Sequence, residues 1–328
     1  MLSKRMGNKN GPSNTEALDA EDNCTGLYMF SKKEIKKAIS SWKYSKVRVV
    51  YRTAGKIYTG ILPSGQLVAI KKLKGERMEL FHREVDTHCR VRHPNIVSLV
   101  GACSGSGRKR YLVYEYCSNG NLVQQLAGSD HVLSWEERVK ILRGIALALR
   151  FLHSHPDGSI IHTGIKAKNI QLTENMDPKL SNFWSTQVLS RQGIPALAGR
   201  PSCVVDIHAF GILALQVLSG TTGDWKSAPG DTIVRMAKEV VRGEREPAEI
   251  KDSLLNIGQD DLCDMESILR VAVLCLTETQ EGCPTMEEVF EVVNEVWRKM
   301  HSRHLHHEIS QVAGSPLTPC GSIDDRSN

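Results

Sequence analysis

Apolar positions change their period part-way along the chain. Up to about residue 117 they fall in short alternating or continuous runs broken by turn residues, and from 134 onward they recur at helical spacing. Lys56–Leu62 and Gln66–Leu73 flank Pro63-Ser64-Gly65 and predict two strands of a hairpin. A helix is predicted over Arg77–Val91. After His93-Pro94 come two more strands, near Ile96–Cys103 and Tyr111–Cys117, the second closed by the turn Ser118-Asn119-Gly120. Ser134 and Glu137 form a capping box that opens a helix with apolar residues at Val139, Leu142, Ile145, Ala146, Leu149 and Leu152. Ile207–Leu218, preceded by Asp206 and stopped by Ser219-Gly220, is apolar on nearly every face, so it belongs inside a core. Thr285 and Glu288 form another capping box, followed by a stripe through Met286, Val289, Val293, Val296 and Met300. The order is a β-rich part followed by a larger α-helical part.

Composition narrows this picture only a little. The 328 residues suffice for one large two-lobed domain or two small ones. Hydrophobic content of 41% and charged content of 24% are those of an ordinary globular protein. A net charge of +5, from 42 basic and 37 acidic residues, is too mild to argue for nucleic acid. Nine scattered cysteines without a C-x-x-C pair, and no signal peptide, suit reduced thiols in a cytosol. No apolar run approaches the ~20 residues that span a bilayer, so no transmembrane segment is expected. Met6-Gly7 resembles a myristoylation start only faintly, since Met1 precedes it and Gly11 stands where Ser or Thr is wanted. Residues 1–26 are polar and expected to be disordered, as are residues 301–328. The second tail carries His301, His304, His306 and His307, with Ser315-Pro316 and Thr318-Pro319 as candidate phosphorylation sites. Those histidines read as a solvated tail rather than a metal site.

Several short motifs keep a common order. Val68-Ala69-Ile70-Lys71 lies on a predicted strand, and Glu84 follows on the next helix. Together with the β-then-α order they resemble a protein kinase, in which that lysine holds ATP phosphates and pairs with that glutamate. Leu112-Val113-Tyr114-Glu115-Tyr116, Arg92-His93-Pro94-Asn95-Ile96-Val97 and Phe30-Ser31-Lys32-Lys33-Glu34-Ile35 are similar to segments of plant receptor-like (Pelle/IRAK-like) kinases. The resemblance covers about residues 28–300. It implies an α+β, two-lobed protein-kinase fold with a small β-rich N-lobe and a large α-helical C-lobe. A pre-kinase helix would occupy 27–43 and the kinase-like domain 44–300.

Phosphoryl transfer needs a glycine loop, metal ligands, a base and an ordered activation segment, and here the chain departs from its family. Gly55 aligns with the third loop glycine, while bulky Val50 and Arg52 stand where the first two belong. The catalytic loop reads His162-Thr163-Gly164-Ile165-Lys166-Ala167-Lys168-Asn169, so Gly164 replaces the catalytic Asp and Thr163 the Arg that pairs with a phosphorylated activation loop. Lys166 and Asn169 survive. The metal motif reads Asn182-Phe183-Trp184: Asn182 replaces the metal-binding Asp and Trp184 the following Gly. Gln171 replaces an apolar residue under the adenine. The stretch from Asn182 to Asp206 is short for the family, and no A-P-E motif is found. Cys283, before Pro284-Thr285-Met286, occupies the place of that motif's buried Arg partner. Losing both partners of a buried pair can be nearly neutral, whereas losing one is not.

What the resemblance leaves is a relic nucleotide site of Gly55, Ala69, Lys71, Glu84, Lys166 and Asn169, and structural positions at His162, Phe183 and Asp206, the last expected to cap the central helix and tie it to the catalytic loop. Lys71–Glu84 reads either as a structural ion pair or as a pair still touching nucleotide. The expectation is a catalytically inactive kinase homologue with no intact catalytic residue, no metal site and no cofactor. It would be an adaptor or modulator in cytoplasmic receptor-kinase signalling, at the inner face of the plasma membrane in one version, with active protein kinases or receptor-like kinases as partners and no nucleic acid. The alternatives are a non-catalytic switch that binds ATP and Mg²⁺ weakly, and a weak serine/threonine kinase that recruits Asp177 or Glu174 as its missing carboxylate.

Overall fold

The computed structural model describes residues 27–41, 56–74, 78–104, 109–128, 131–189, 202–222, 228–277 and 282–313. They fall into two compact units, one of residues up to 92 together with 98–116, the other of 93–97 and everything from 117.

The first unit is a five-stranded sheet with a helix on each face. Its elements are β1 (Tyr28–Met29), α1 (Lys32–Ser40), β2 (Lys56–Ile61), β3 (Leu67–Lys74), α2 (Met78–Arg90), β4 (Leu99–Cys103) and β5 (Lys109–Glu115), in the sheet order β1-β4-β5-β3-β2. The β2–β3 hairpin turns at Gly65, whose φ of +84° a side-chain-bearing residue would adopt only under strain. Strand alternation splits the core in two. Val68, Ile70, Val113 and Cys103 face α1 and pack on Phe30, Ile35 and Ala38; Leu73, Ala102 and Leu112 face α2 and pack on Phe81. α1 starts with a capping box in which the Glu34 backbone N–H donates to Ser31 Oγ and the Ser31 N–H donates to Glu34.

The second unit is helical, with short strand pairs. It contains α3 (Leu122–Leu126), α4 (Trp135–His153), β6 (Ser159–Ile161), β7 (Ile170–Leu172), β8 (Pro178–Leu180), β9 (Gln187–Leu189), α5 (Cys203–Ser219), α6 (Ala228–Val241), α7 (Gln259–Cys275) and α8 (Met286–Ala313). β6 pairs with β9 and β7 with β8, both antiparallel. The Ser134–Glu137 box caps α4 as expected. α5 buries ten of its residues, Phe210 through Leu215 among them, and Gly211 packs so closely that a Cβ there would lie 2.8 Å from the Ala272 carbonyl oxygen.

Two expectations need correction. α8 continues past 300 to Ala313 instead of ending in a tail. Trp297 packs on His301, and Arg303 pairs with Asp261 and Asp264 of α7, which anchors the first turn past Met300. Asp206 lies in the first turn of α5, not at its cap, which is Ser202. The glycine-loop reading at Val50, Arg52 and Gly55, and the stretch where an A-P-E motif was sought, lie outside the described residues. No described helix is long and apolar enough to cross a membrane.

Candidate nucleotide and catalytic residues

In the first unit, β3 alternation turns Ala69, Lys71 and Leu73 to the α2 side, and α2 presents Glu84 to them. Lys71 Nζ donates to both Glu84 carboxylate oxygens, at 2.9 and 3.4 Å, with both residues buried. Ala69 sits opposite Tyr114 of β5, and the Tyr114 ring meets His88 edge-on with centroids 5.8 Å apart. Burial alone would raise the Glu84 pKa. The Lys71 charge, the Tyr114 hydroxyl and His88 outweigh it and leave the carboxyl below its usual value. Tyr114 shows the converse: burial and the neighbouring Glu84 charge push its phenol well above the ordinary range. The ion pair is complete from protein groups alone.

The second unit builds the catalytic-loop half around Asp206. Its Oδ2 accepts from the His162 backbone N–H at 2.7 Å and from His153 Nε2 at 3.1 Å, and its Oδ1 accepts from the Thr163 N–H at 2.8 Å. This clamp holds Thr163 at φ 57°, a left-handed conformation unusual for a β-branched residue; its hydroxyl donates to the Ser185 carbonyl at 2.8 Å. His162 and Phe183 are fully buried and meet edge-to-face with ring centroids 4.7 Å apart. Lys166 is exposed.

At the two positions where the family binds metal, amide meets amide. Asn169 Nδ2 donates to the Gly164 carbonyl at 2.7 Å, which fixes its Oδ1 on the other side. That oxygen accepts from Asn182 Nδ2 at 2.8 Å. Asn182 adopts φ 78°, a left-handed conformation that Asn tolerates better than most residues. Mg²⁺ asks for anionic oxygen in near-octahedral geometry, and a pair of neutral amides already engaged with each other does not fit it. Among the described residues, no cluster of three or more His, Cys, Asp or Glu could hold a metal ion.

Gly164 is not demanded by the backbone. A Cβ there would meet His162 Cε1 and Nδ1 at 3.4 Å and Asn169 Nδ2 at 3.6 Å, ordinary contacts, and its φ is not left-handed. The two carboxylates expected as stand-ins are committed elsewhere or exposed. Asp177, in the β7–β8 turn, pairs with Lys140 at 2.7 Å and accepts from the Thr173 hydroxyl; Glu174, in the same turn, is exposed. Gln171 Nε2 reaches the Lys168 carbonyl at 3.4 Å. Cys283 is partly buried, which raises its thiol pKa.

Sequence reasoning missed Tyr114 as a neighbour of Glu84, although its strand parity with Leu112 points it at α2. It also missed the Asn169–Asn182 bond, for which the sequence holds no signal, because the two meet only through the β7–β8 turn.

Residues 50–193 match the family described as protein tyrosine and serine/threonine kinase. With the β-sheet unit followed by the helical unit, the chain carries a protein kinase domain of mixed α+β content. Plant receptor-like kinases are among its homologues. It is 33% identical over 267 residues to the leucine-rich repeat receptor protein kinase EMS1 of Arabidopsis thaliana, across 74% of this chain and 22% of that protein. It is 30% identical to the Arabidopsis cysteine-rich receptor-like protein kinase 1, across 79% of this chain and 45% of the relative. A third Arabidopsis protein, called a probable inactive L-type lectin-domain containing receptor kinase III.1, is 28% identical across 87% of this chain and 46% of its own length. The chain thus spans less than half the length of these relatives.

Proposed function

We propose that this kinase domain does not transfer phosphate and acts by binding other proteins, as an adaptor or modulator in cytoplasmic receptor-kinase signalling whose partners are active protein kinases. The observation that carries the reading is the amide pair Asn169–Asn182 beside a catalytic loop with glycine at 164. A missing general base alone typically costs ~10²–10⁴ in rate, and the metal posts fail independently. Among the described residues the scaffold, by contrast, keeps the Asp206 clamp, the buried His162–Phe183 contact and the Lys71–Glu84 pair. That one relative is named a probable inactive kinase agrees with this reading.

The test is incubation with labelled ATP, Mg²⁺ or Mn²⁺ and a generic protein substrate. No transfer is expected above a no-enzyme control. Transfer by the wild type that vanishes in Lys71→Ala would overturn the proposal. Precipitation with the cytoplasmic domains of receptor-like kinases tests the partner class.

The preformed Lys71–Glu84 pair favours a second reading, a domain that binds nucleotide without using it. ATP at ten times its Kd would then stabilise the fold by ~1.4 kcal/mol. An unchanged melting temperature at millimolar ATP would exclude that reading.

A further inference from the structure

Positive charge is distributed unevenly along the chain. Residues 27–56 carry nine Lys or Arg against one Glu, so the rest of this mildly basic protein is acidic on balance. The described part of that stretch forms one face. Lys33, Lys36 and Lys37 are exposed on α1, whose Ile35 and Ala38 are buried against the sheet. The single acid, Glu34, is engaged with the Ser31 N–H and the Tyr28 hydroxyl. On the same sheet face that α1 covers, exposed Lys56 stands directly opposite Lys72, and exposed Lys109 lies on that face in β5. Lys33 and Lys37 are one helical turn apart. Like charges at these spacings cost stability in both helices and sheets. Local rules broken without a structural gain are where function is expected. Among the described residues, Lys33, Lys36, Lys37, Lys56 and Lys109 make no ion pair. Beside them, on β1, Tyr28 and Met29 are 54% and 47% exposed.

We propose that this face of the first unit, α1 with Tyr28, Met29 and the Lys56 and Lys109 strand ends, docks on a membrane surface of anionic phospholipids. The charges are lysines spread over a helix and a sheet face. Recognition of a single phosphate group favours a planar arginine fork, whereas a diffuse set of lysines suits the field of many headgroups. An exposed tyrosine and methionine at the edge of a basic helix supply the amphipathic contact that interfacial binding uses. This inference is independent of whether the domain transfers phosphate.

Flotation of the full chain with vesicles tests it. Binding is expected to phosphatidylcholine vesicles containing phosphatidylserine, weak binding to phosphatidylcholine alone, and release by high salt. At about a tenfold loss or less per lysine, K33A/K36A/K37A should weaken partitioning on the order of a hundred-fold. Met29→Ser should weaken it less, and removal of exposed Arg235 and Arg242 in the second unit should leave it unchanged. Circular dichroism and melting of each variant separate lost binding from lost folding. Equal affinity for neutral and anionic vesicles, or unchanged binding by a folded triple-lysine variant, would overturn the proposal. So would preferential binding of a fluorescent phosphopeptide or RNA by this face with no vesicle binding.

Discussion

Asn182 donates its side-chain amide to Oδ1 of Asn169 across 2.8 Å, and Asn169 cannot turn to meet it otherwise, because its own nitrogen is held by the Gly164 carbonyl at 2.7 Å. In Asn182→Asp a carboxylate would face that oxygen, acceptor against acceptor, and rotating the Asn169 amide would only break the bond to Gly164. One hydrogen bond is lost either way, about 1 kcal/mol or more. The variant should melt below wild type without metal and regain stability with added Mg²⁺, while wild type should not respond. A variant as stable as wild type in a chelator would show that the amide pair does not set this geometry.

Gly164→Asp tests the neighbouring position from the opposite direction. The added Cβ meets only ordinary contacts and the backbone is not left-handed, so stability should stay within about 0.5 kcal/mol of wild type. Without a carboxylate at 182 the variant should still not transfer phosphate. A large loss of melting temperature would mean that the loop needs glycine for its shape.

Lys71 and Glu84 are buried together, so removing one strands the other. Lys71→Met should cost ~3–5 kcal/mol, while Lys71→Met with Glu84→Leu should be close to neutral. The pH response should reverse as well. In wild type the Glu84 pKa is lowered, so its contribution is present above the unfolded carboxyl value and lost as pH falls below it. In Lys71→Met, burial acts unopposed and raises that pKa, so the variant should gain stability as pH falls from neutral toward the carboxyl range. Urea melts of the wild type and the two variants at several pH values decide this.

His153 predicts a loss of stability on the alkaline side. Burial lowers its pKa, but hydrogen bonding to Asp206 at 3.1 Å, with Cys203 close by, raises it to about 9. The folded value lies above the unfolded one, so the stabilisation is complete below about pH 6.5 and fades as pH rises through 9, by roughly 3 kcal/mol in all. His153→Gln should flatten that part of the stability–pH curve. An unchanged slope in the variant would assign the pH dependence to another group.

Local signals were legible where they were strong. The Pro63-Ser64-Gly65 turn fixed the first hairpin to within a residue or two, the capping boxes at Ser134 and Thr285 marked true helix starts, and the apolar run at Ile207 marked a buried helix. The strand predicted from Ile96 starts only at Leu99, because the Val97 N–H donates to the Leu180 carbonyl of β8 and the Leu180 N–H to the Asn95 carbonyl, so this stretch bonds to β8 rather than to the sheet. α7 went unread: its cap is Gly258, with no side-chain bond to announce it. The residue types at 164 and 182 were plain in the sequence, but what they touch was not, because Asn169, Asn182 and Gly164 come together only through tertiary placement.

The end of α8 was unread for a related reason. The apolar residues past 300 are few (Leu305, Ile309, Val312 and Ala313) and Leu305 is 58% exposed, while Arg303 ties the helix to α7 by bonding Asp264 at 2.6 Å and Asp261 at 3.0 Å. Asp264 is 5% exposed, so its carboxylate depends on that guanidinium. Arg303→Ala should cost about 1–3 kcal/mol, more than an exposed ion pair would. Asp264→Ala alone should cost less than Arg303→Ala, because it leaves Arg303 with Asp261 and solvent, and the double variant should lie closer to Asp264→Ala than to the sum. Hydrogen exchange should then show faster amides from Ser302 onward in Arg303→Ala and unchanged ones in the α5 core. Exchange rates at 302–313 equal to wild type would mean that the stack of Trp297 on His301 holds the helix end by itself.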